Sequence, residues 1–349
     1  MSTGTNATIK QEAYRMPAEW EPHDATWLAW PHFQEHWPGR FEPIPKKYVE
    51  IVRVLTSSEL VRMCVNDEAM ERDARHRLDV GGVPLKRVEF FRIPTNASWS
   101  RDHGPIFVYD NQQLTILDWR FNAWGEQWPF DRDDAVPPAV AAALKMPVVA
   151  ISMVLEGGAI DVNGAGTLLT TESCLLNKNR NPDRSREEIE AALRQYLGAT
   201  NILWLKAGIT GDDTAGHIDD LARFVNPTTV VCGVTNNIQD VDYAVLQQNF
   251  ADLQAMRDQS GQVLNVVPLP MPGPVISDGQ RLPASYANFY IANTVVLLPT
   301  FRCPEDDQAL AILERLFPTR RIVGIDCVDL VWGLGTIHCS TQQQPAAHS

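Results

Sequence analysis

Short runs of β-branched and aromatic residues stand between polar stretches along this chain. They predict strands at Leu60 to Val65, Leu114 to Phe121, Asn201 to Leu205, Thr228 to Val234 and Ile322 to Cys327. Helical patterns separate many of them. The clearest has Ser185 as N-cap and Glu188 three residues on, a capping box; Ile189, Leu193 and Leu197 follow, and Gly198 closes it. A second helix is expected to start near Pro304, with Asp306 and Asp307 in its first turn and Leu310, Leu313 and Leu316 on one face. Val154 to Val162 and Thr167 to Thr171 look like two strands joined through Asn163 and Gly164, a hairpin signal. The order is repeatedly strand, strand, helix, strand, without the steady βαβ alternation of a doubly wound sheet. No repeat is visible at the level of residue identity. No Gly/Ser tract, charge block or proline-rich linker cuts the chain, so one compact α/β domain spanning residues 1–349 is expected.

With 349 residues, 44% hydrophobic and 21% charged, the chain can bury a sizeable core. Its formal net charge of -13 argues against a nucleic-acid or anionic-membrane partner, since either would need a basic field. The stretch Met1 to Arg15 is polar, and no later apolar run approaches the roughly 18 residues of a membrane span. A cytoplasmic protein is expected. Six cysteines in such a chain read as reduced thiols, and none belongs to a C-x-x-C pair, so neither a metal cage nor another cofactor is called for. A homodimer is the expected assembly, because homo-oligomers are common among soluble enzymes.

Four segments set an acid, histidine or thiol beside glycine: Trp99-Ser-Arg-Asp-His-Gly-Pro105, Leu155-Glu-Gly-Gly158, Thr214-Ala-Gly-His-Ile-Asp-Asp220 and Gly333-Leu-Gly-Thr-Ile-His-Cys339. Glycine permits tight turns and close approach of backbone to a ligand, so these side chains can be presented instead of packed away. A guanidinium substrate would be matched by two carboxylates in bidentate geometry, for which Asp102 and Asp219 are the candidates. A thiolate, Cys339, would attack its central carbon. His217 would protonate departing ammonia and later take a proton from water, with Glu156 fixing its ring. Taken one at a time, each residue has a plainer explanation: a buried thiol, an Asp102–Arg101 ion pair, a strand-ending glutamate, a packed histidine. A metal-dependent hydrolase built on His217, Asp219 and Glu156 is one alternative, and a guanidinium-binding protein without turnover is another.

All four segments occur together and in order, and with them the chain resembles the agmatine deiminase and bacterial peptidylarginine deiminase family of the guanidino-group-modifying superfamily. The likeness extends to Met16-Pro-Ala-Glu-Trp-Glu-Pro-His23, Trp27-Leu-Ala-Trp-Pro31, Phe121-Asn-Ala-Trp-Gly125, Leu169-Thr-Thr-Glu-Ser-Cys-Leu-Leu-Asn177, Asn179-Arg-Asn-Pro182 and Cys339-Ser-Thr-Gln-Gln-Gln-Pro345. The resemblance implies an α/β fold, a pseudo-fivefold propeller of ββαβ units around a central active-site channel. It implies catalytic roles for Asp102, Glu156, His217, Asp219 and Cys339 and a hydrolase acting on linear amidines through a covalent thiouronium. The expected substrate is agmatine, giving N-carbamoylputrescine and ammonia, with a citrulline-forming enzyme acting on free or peptide arginine as the alternative. Gly333-Leu-Gly-Thr336 departs from the Gly-Gly-Gly-Asn usual in the agmatine branch, and Pro22-His23 and Pro31-His32 also differ, which bears on substrate choice. Arg120 would suit a substrate carboxylate, although an outward-facing strand arginine is the plainer role; Trp124 would stack on the aliphatic chain, line a cation site or pack in the core.

Overall fold

The computed structural model of the protein describes residues 14–347. The polar stretch expected to lack a secretory signal therefore lies, apart from Tyr14 and Arg15, outside the described residues. Among the described residues no helix is long and apolar enough to cross a membrane.

One motif recurs around the molecule: two antiparallel strands, a helix, and a third strand parallel to the second. A parallel return needs a crossover long enough to hold a helix, and the hydrophobic stripe of that helix covers the sheet it has just left. In the first unit these strands are Ile106–Asp110, Gln113–Arg120 and Val148–Val154, with helix Val136–Leu144 before the third. The second unit has Asp161–Val162, Thr167–Thr171 and Asn201–Leu205 with helix Arg186–Leu197. Ala222–Asn226, Thr229–Val234 and Asn265–Pro270 with helix Tyr243–Ala255 form the third. Tyr290–Ile291, Val295–Thr300 and Arg321–Asp326 with helix Glu305–Leu316 form the fourth. The fifth is assembled from both ends of the chain: Gln342–Pro345 lies antiparallel to His23–Ala29, and helix Ile44–Leu55 returns to the parallel strand Leu60–Cys64. Helix Glu68–Val80 then adds one more parallel strand, Val88–Phe91, at its edge.

The units close into a ring. The short turn that precedes the first strand of each unit touches its counterpart in the next: Ile337–Ser340 packs on Ser100–His103, which packs on Gly157–Ala159, which packs on Ile218–Asp220. Asn288, just ahead of Tyr290, bonds Asp220 on one side and the backbone of His338 on the other, completing the circuit. This is the expected pseudo-fivefold propeller. The repeat is one of topology, and the residues filling each unit differ because each packs against different neighbours.

Local signals behave as the chemistry dictates. Ser185 accepts from the Glu188 backbone, the Glu188 side chain answers the Ser185 backbone, and Gly198 takes φ 69° after Leu197. The helix at Glu305–Leu316 buries Ala309, Ile312 and Leu313. Leu310 and Leu316 are only half-buried, so the stripe lies to one side of the expected leucine face. The hairpin pairs Asp161 with Leu169 and Val162 with Leu168, but its first strand does not begin at Val154. Val154 instead ends the last strand of the first unit, and a turn at Gly157–Ala159 intervenes. A Cβ on Gly157 would lie 2.2 Å from the Arg101 carbonyl oxygen, so this turn exists where side chains are excluded.

Candidate active site

The turns at the centre of the ring carry the chemistry-bearing side chains. Asp102 comes from the turn before the first unit, Glu156 from that before the second, His217 and Asp219 from the third and Cys339 from the fifth. All five are buried. The structure thus brings together every residue proposed for catalysis from the four glycine-flanked segments. Cys339 Sγ lies 3.9 Å from Asp219 Oδ2, and His217 Nδ1 lies 3.7 Å from Asp102 Oδ1. Gly158 makes the second approach feasible, because a Cβ there would stand 2.5 Å from His217 Nδ1 and 2.8 Å from Asp102 Oδ1. Its N–H donates to Asp102 Oδ1 at 3.1 Å.

Acceptors outnumber donors in this centre. Asp219 Oδ2 meets His338 Nδ1 at 2.6 Å, while Asp219 Oδ1 and Glu156 Oε2 are buried without a hydrogen-bond partner, and the buried ring of His217 faces the Asp102 carboxylate and the Cys174 thiol. Unpaired buried polar atoms are costly unless a ligand satisfies them. Burial lifts the Asp102 pKa to about 7, helped by the Asp219 and Glu156 charges and opposed by His217. Burial also disfavours a charged His217, but the Asp102 carboxylate outweighs it and holds the imidazole pKa well above its usual value. For Asp219, burial is overcome by the hydrogen bond and charge of His338, so its carboxyl is held below the usual range. Asp220 is pushed well above that range by burial and by Asp219. Burial and then Asp219, Asp220 and Asp102 push the Cys339 thiol well up. A cation arriving here would relieve all of these repulsions at once.

A cavity of about 230 Å³ leads to Cys339 and Asp102. Trp99, Trp124, Trp128, Trp332 and His36 wall it, and Glu35 and Asp213 add acid; among the described residues neither lysine nor arginine lines it. His36 is neutral near pH 7, since burial and then His32 lower its pKa to about 4. Trp124 is part of the wall and also donates its indole N–H to Asp102 Oδ2 at 3.1 Å, a role beyond the stacking or packing expected of it. It sits in a run with Ala123, Gly125 and Glu126 that all take positive φ, a strained stretch held by Asn179 and Arg180, which both donate to the Trp124 carbonyl. Arg120 is not in the site. Its exposed guanidinium pairs with Asp134 at 2.8 Å, because the alternation of its strand turns it away from the centre.

Four partners carried no assigned role in the sequence reading. Arg180 donates to Glu156; its signal was the Asn179-Arg-Asn-Pro182 stretch, whose place in the site only the fold reveals. His338 stands between Asp219 and Glu19, at 2.6 Å and 2.7 Å. Glu19 in turn pairs with Arg101 and Arg223, so the centre is backed by a buried ionic network. Asn288 contacts Cys339 Sγ and gave no signal, being one asparagine in an aromatic run.

Among the described residues, Glu156, Cys174 and His217 are the trio whose donor atoms gather within 4.8 Å of one another. Such a set has the donor types for a thiophilic cation. The guanidinium of Arg180 already lies 2.5 Å from Glu156, however, and supplies positive charge there. Asp219, the third member of the metal set considered from sequence, is engaged with His338 instead.

Comparison with known proteins gives a consistent result. Residues 15–345 match the family described as Porphyromonas-type peptidyl-arginine deiminase. An agmatine deiminase of Ectopseudomonas mendocina is 37% identical over 369 residues, covering 99% of each chain. The solved structure of an agmatine deiminase of Enterococcus faecalis superposes with a TM-score of 0.91 at 32% identity, covering 100% of both chains. An agmatine deiminase of C. jejuni with substrate bound superposes with a TM-score of 0.88 at 31% identity, covering 96% of this chain and 97% of that one. On fold, motif order and full-length similarity together, the chain belongs to the Porphyromonas-type peptidyl-arginine deiminase family.

Proposed function

We propose that this protein is an agmatine deiminase, hydrolysing agmatine and water to N-carbamoylputrescine and ammonia. The observation that carries this reading is a cavity with Cys339 and Asp102 in its wall, acids at Glu35 and Asp213, and neither lysine nor arginine in its lining among the described residues. Agmatine carries a guanidinium at one end and an ammonium at the other, so both ends meet negative charge. The carboxylate of free or C-terminal arginine would find no lysine or arginine in that lining, and Arg120, the residue that could have served, is turned outward. Full-length relatives that bear the agmatine deiminase name favour the same choice.

In this reading Asp102 and Asp219 hold the guanidinium nitrogens while the Cys339 sulfur attacks the central carbon. The substrate cation offsets the carboxylates that disfavour a thiolate, so nucleophile and substrate ionise favourably together. His217, kept protonated by Asp102, gives its proton to the departing nitrogen; the C–N bond breaks, ammonia leaves and an S-linked amidino adduct remains. The neutral imidazole then takes a proton from water, hydroxide adds to the same carbon, and the C–S bond breaks as the added hydroxyl loses its proton to solvent, releasing the ureido product and thiolate. Arg180 fixes Glu156 beside His217, and no step calls for a metal. The convergence of all five units on one centre supports treating residues 1–349 as a single catalytic domain. A cytoplasmic setting, which keeps thiols reduced, suits six cysteines that are all unpaired. A homodimer is part of the proposal and is read by sedimentation velocity.

The test is ammonia release from agmatine, free arginine and a peptide with C-terminal arginine. Agmatine should be turned over at least about a hundredfold more efficiently than either competitor, since the wrong tail leaves a charge unpaired. Iodoacetamide should abolish activity and EDTA leave it intact. Near-native turnover by Cys339→Ser would remove the nucleophile from the scheme, and preference for an arginine substrate would overturn the substrate assignment.

A further inference from the structure

Four of the five turns at the ring centre have an evident chemical role, and the fourth unit's turn does not. Its residue at the corresponding place, two positions before Tyr290, is Asn288, which is 1% exposed. The two ends of its side chain are distinguished by their partners. Oδ1 accepts from Thr336 Oγ1 at 2.6 Å, from the His338 N–H at 3.0 Å and from the Cys339 N–H at 3.4 Å. Turning the amide over would set NH₂ against three donors, so the oxygen is fixed on that side. Nδ2 is thereby aimed at Cys339 Sγ, 3.2 Å away, and also reaches Asp220 Oδ1 at 3.1 Å and Asp219 Oδ2 at 3.3 Å. The same amide therefore anchors the backbone of the nucleophile's turn and directs a donor at its sulfur.

We propose that Asn288 is a further residue of the deimination reaction, holding the Cys339 sulfur in its attacking position and donating a hydrogen bond that stabilises its thiolate. This rests on the reading of Cys339 as nucleophile. The need is electrostatic. The carboxyls of Asp219, Asp220 and Asp102 face the sulfur and each opposes a second negative charge, against which a hydrogen bond with the backbone at Thr336 gives partial relief. A neutral N–H favours the anion without competing with a cationic substrate for those carboxylates, as a lysine or arginine in its place would. In the thiol form, Cys339 itself donates towards Asp219 Oδ2 at 3.9 Å; once that proton leaves, Asn288 is the side chain that donates to sulfur.

The test reads the nucleophile directly. The rate of Cys339 alkylation by iodoacetamide is followed against pH in wild type, Asn288→Ala and Asn288→Asp, alongside steady-state turnover of agmatine. In Asn288→Ala the alkylation midpoint should rise by about one pH unit, the size expected when one hydrogen bond to an anion is lost. The kcat should fall by about ten- to a hundredfold with KM within about threefold. Should the alanine variant misfold, Asn288→Asp preserves the acceptor for Thr336 and His338 and offers a donor only while protonated. Its kcat should therefore fall as pH rises across the range where wild type gains activity. Unchanged alkylation profiles in the folded variants would overturn the proposal for Asn288. A failure of the nucleophile assignment has a different signature: Cys339→Ser would turn agmatine over, whatever stands at position 288.

Discussion

Arg180 donates its Nε–H to Glu156 Oε1 across 2.5 Å, with both side chains withdrawn from solvent. Its remaining nitrogens reach the Trp124 carbonyl at 2.9 Å and the Thr214 carbonyl at 2.8 Å. One guanidinium thus ties together the loop that carries Trp124, the turn that carries Glu156 and the loop leading to His217. Arg180→Ala should lose about 3–5 kcal/mol in urea unfolding, because it strands a buried carboxylate. Arg180→Lys, with a point charge in place of a planar fork, should recover only part of that loss. An unchanged urea midpoint for the alanine variant would remove Arg180 from the support of the site.

Gly158→Ala should be far more damaging to activity than its single methyl suggests. That methyl would lie 2.5 Å from His217 Nδ1, and a displaced general acid is costly even for small movements. A drop in kcat of about a hundredfold or more is expected, with only a moderate fall in melting temperature. Gly82→Ala is the control: nothing lies within 4 Å of a Cβ there, so it should affect stability through its φ of +74° and leave kcat unchanged. Equal kcat values for the two variants would contradict the packing argument.

Activity and stability should respond to pH in opposite senses. Substrate binding needs the Asp102 carboxylate, so kcat/KM for agmatine should rise as pH passes through about 7. The folded-state pKa of Asp102 is raised above the ordinary value of 3.8, so its favourable contribution is present below that value. It is lost as pH rises through about 7, because the unfolded chain ionises more readily. Asp102→Asn abolishes that loss. It should be inactive, yet more stable than wild type at about pH 8, with the gap closing at about pH 4. Chemical denaturation at the two pH values checks this, and a gap that widens on acidification would reverse the sign.

Asp213 tests the reading of the cavity mouth. It lines the cavity, and burial followed by the charge of Asp212 lifts its pKa to about 6, so it is ionised at pH 7.5 and attracts an ammonium tail. Asp213→Asn should raise KM for agmatine by about tenfold and change kcat by less than about threefold, since the tail is held equally in ground and transition states. A guanidino substrate without the distal amine should be nearly indifferent to the substitution. If both substrates suffer alike, the acid supports the loop and not the ligand.

The residues proposed for the chemistry were legible in the sequence where glycine announced them. Asp102, Glu156, His217, Asp219 and Cys339 lie in segments whose glycines allow close approach or a positive φ, as the contacts at Gly157 and Gly158 and the φ of +103° at Gly216 show. Capping followed local rules, so Ser185 and Gly198 bound their helix as expected. Residues whose role depends on distant partners were not legible. Arg180 and His338 stand in segments that the resemblance picked out, yet the groups they act on, Glu156 and Asp219, are distant in the chain, and nothing near Asn288 marks it. Arg120 fails for the complementary reason: its neighbours are functional, but strand alternation turns it to the outside. The same limit explains the hairpin, whose first strand was expected to begin at Val154. Apolar residues flank the stretch on both sides, and the chain turns between them at Gly157 and Gly158, where Arg101 and His217 approach too closely for a side chain.

The unit that holds the sulfur is stitched from the two extremities of the polypeptide, Gln342–Pro345 beside His23–Ala29. During translation the other four blades emerge before it can be finished, and the His23–Ala29 strand waits for a neighbour made some three hundred residues later (order of magnitude from the pairing). The sulfur proposed to attack is therefore the last of the five site residues to be made, and it comes directly after His338, which holds Asp219. A chain stalled before His338 would lack at one stroke the proposed nucleophile, the partner of Asp219 and the strand that completes the fifth unit.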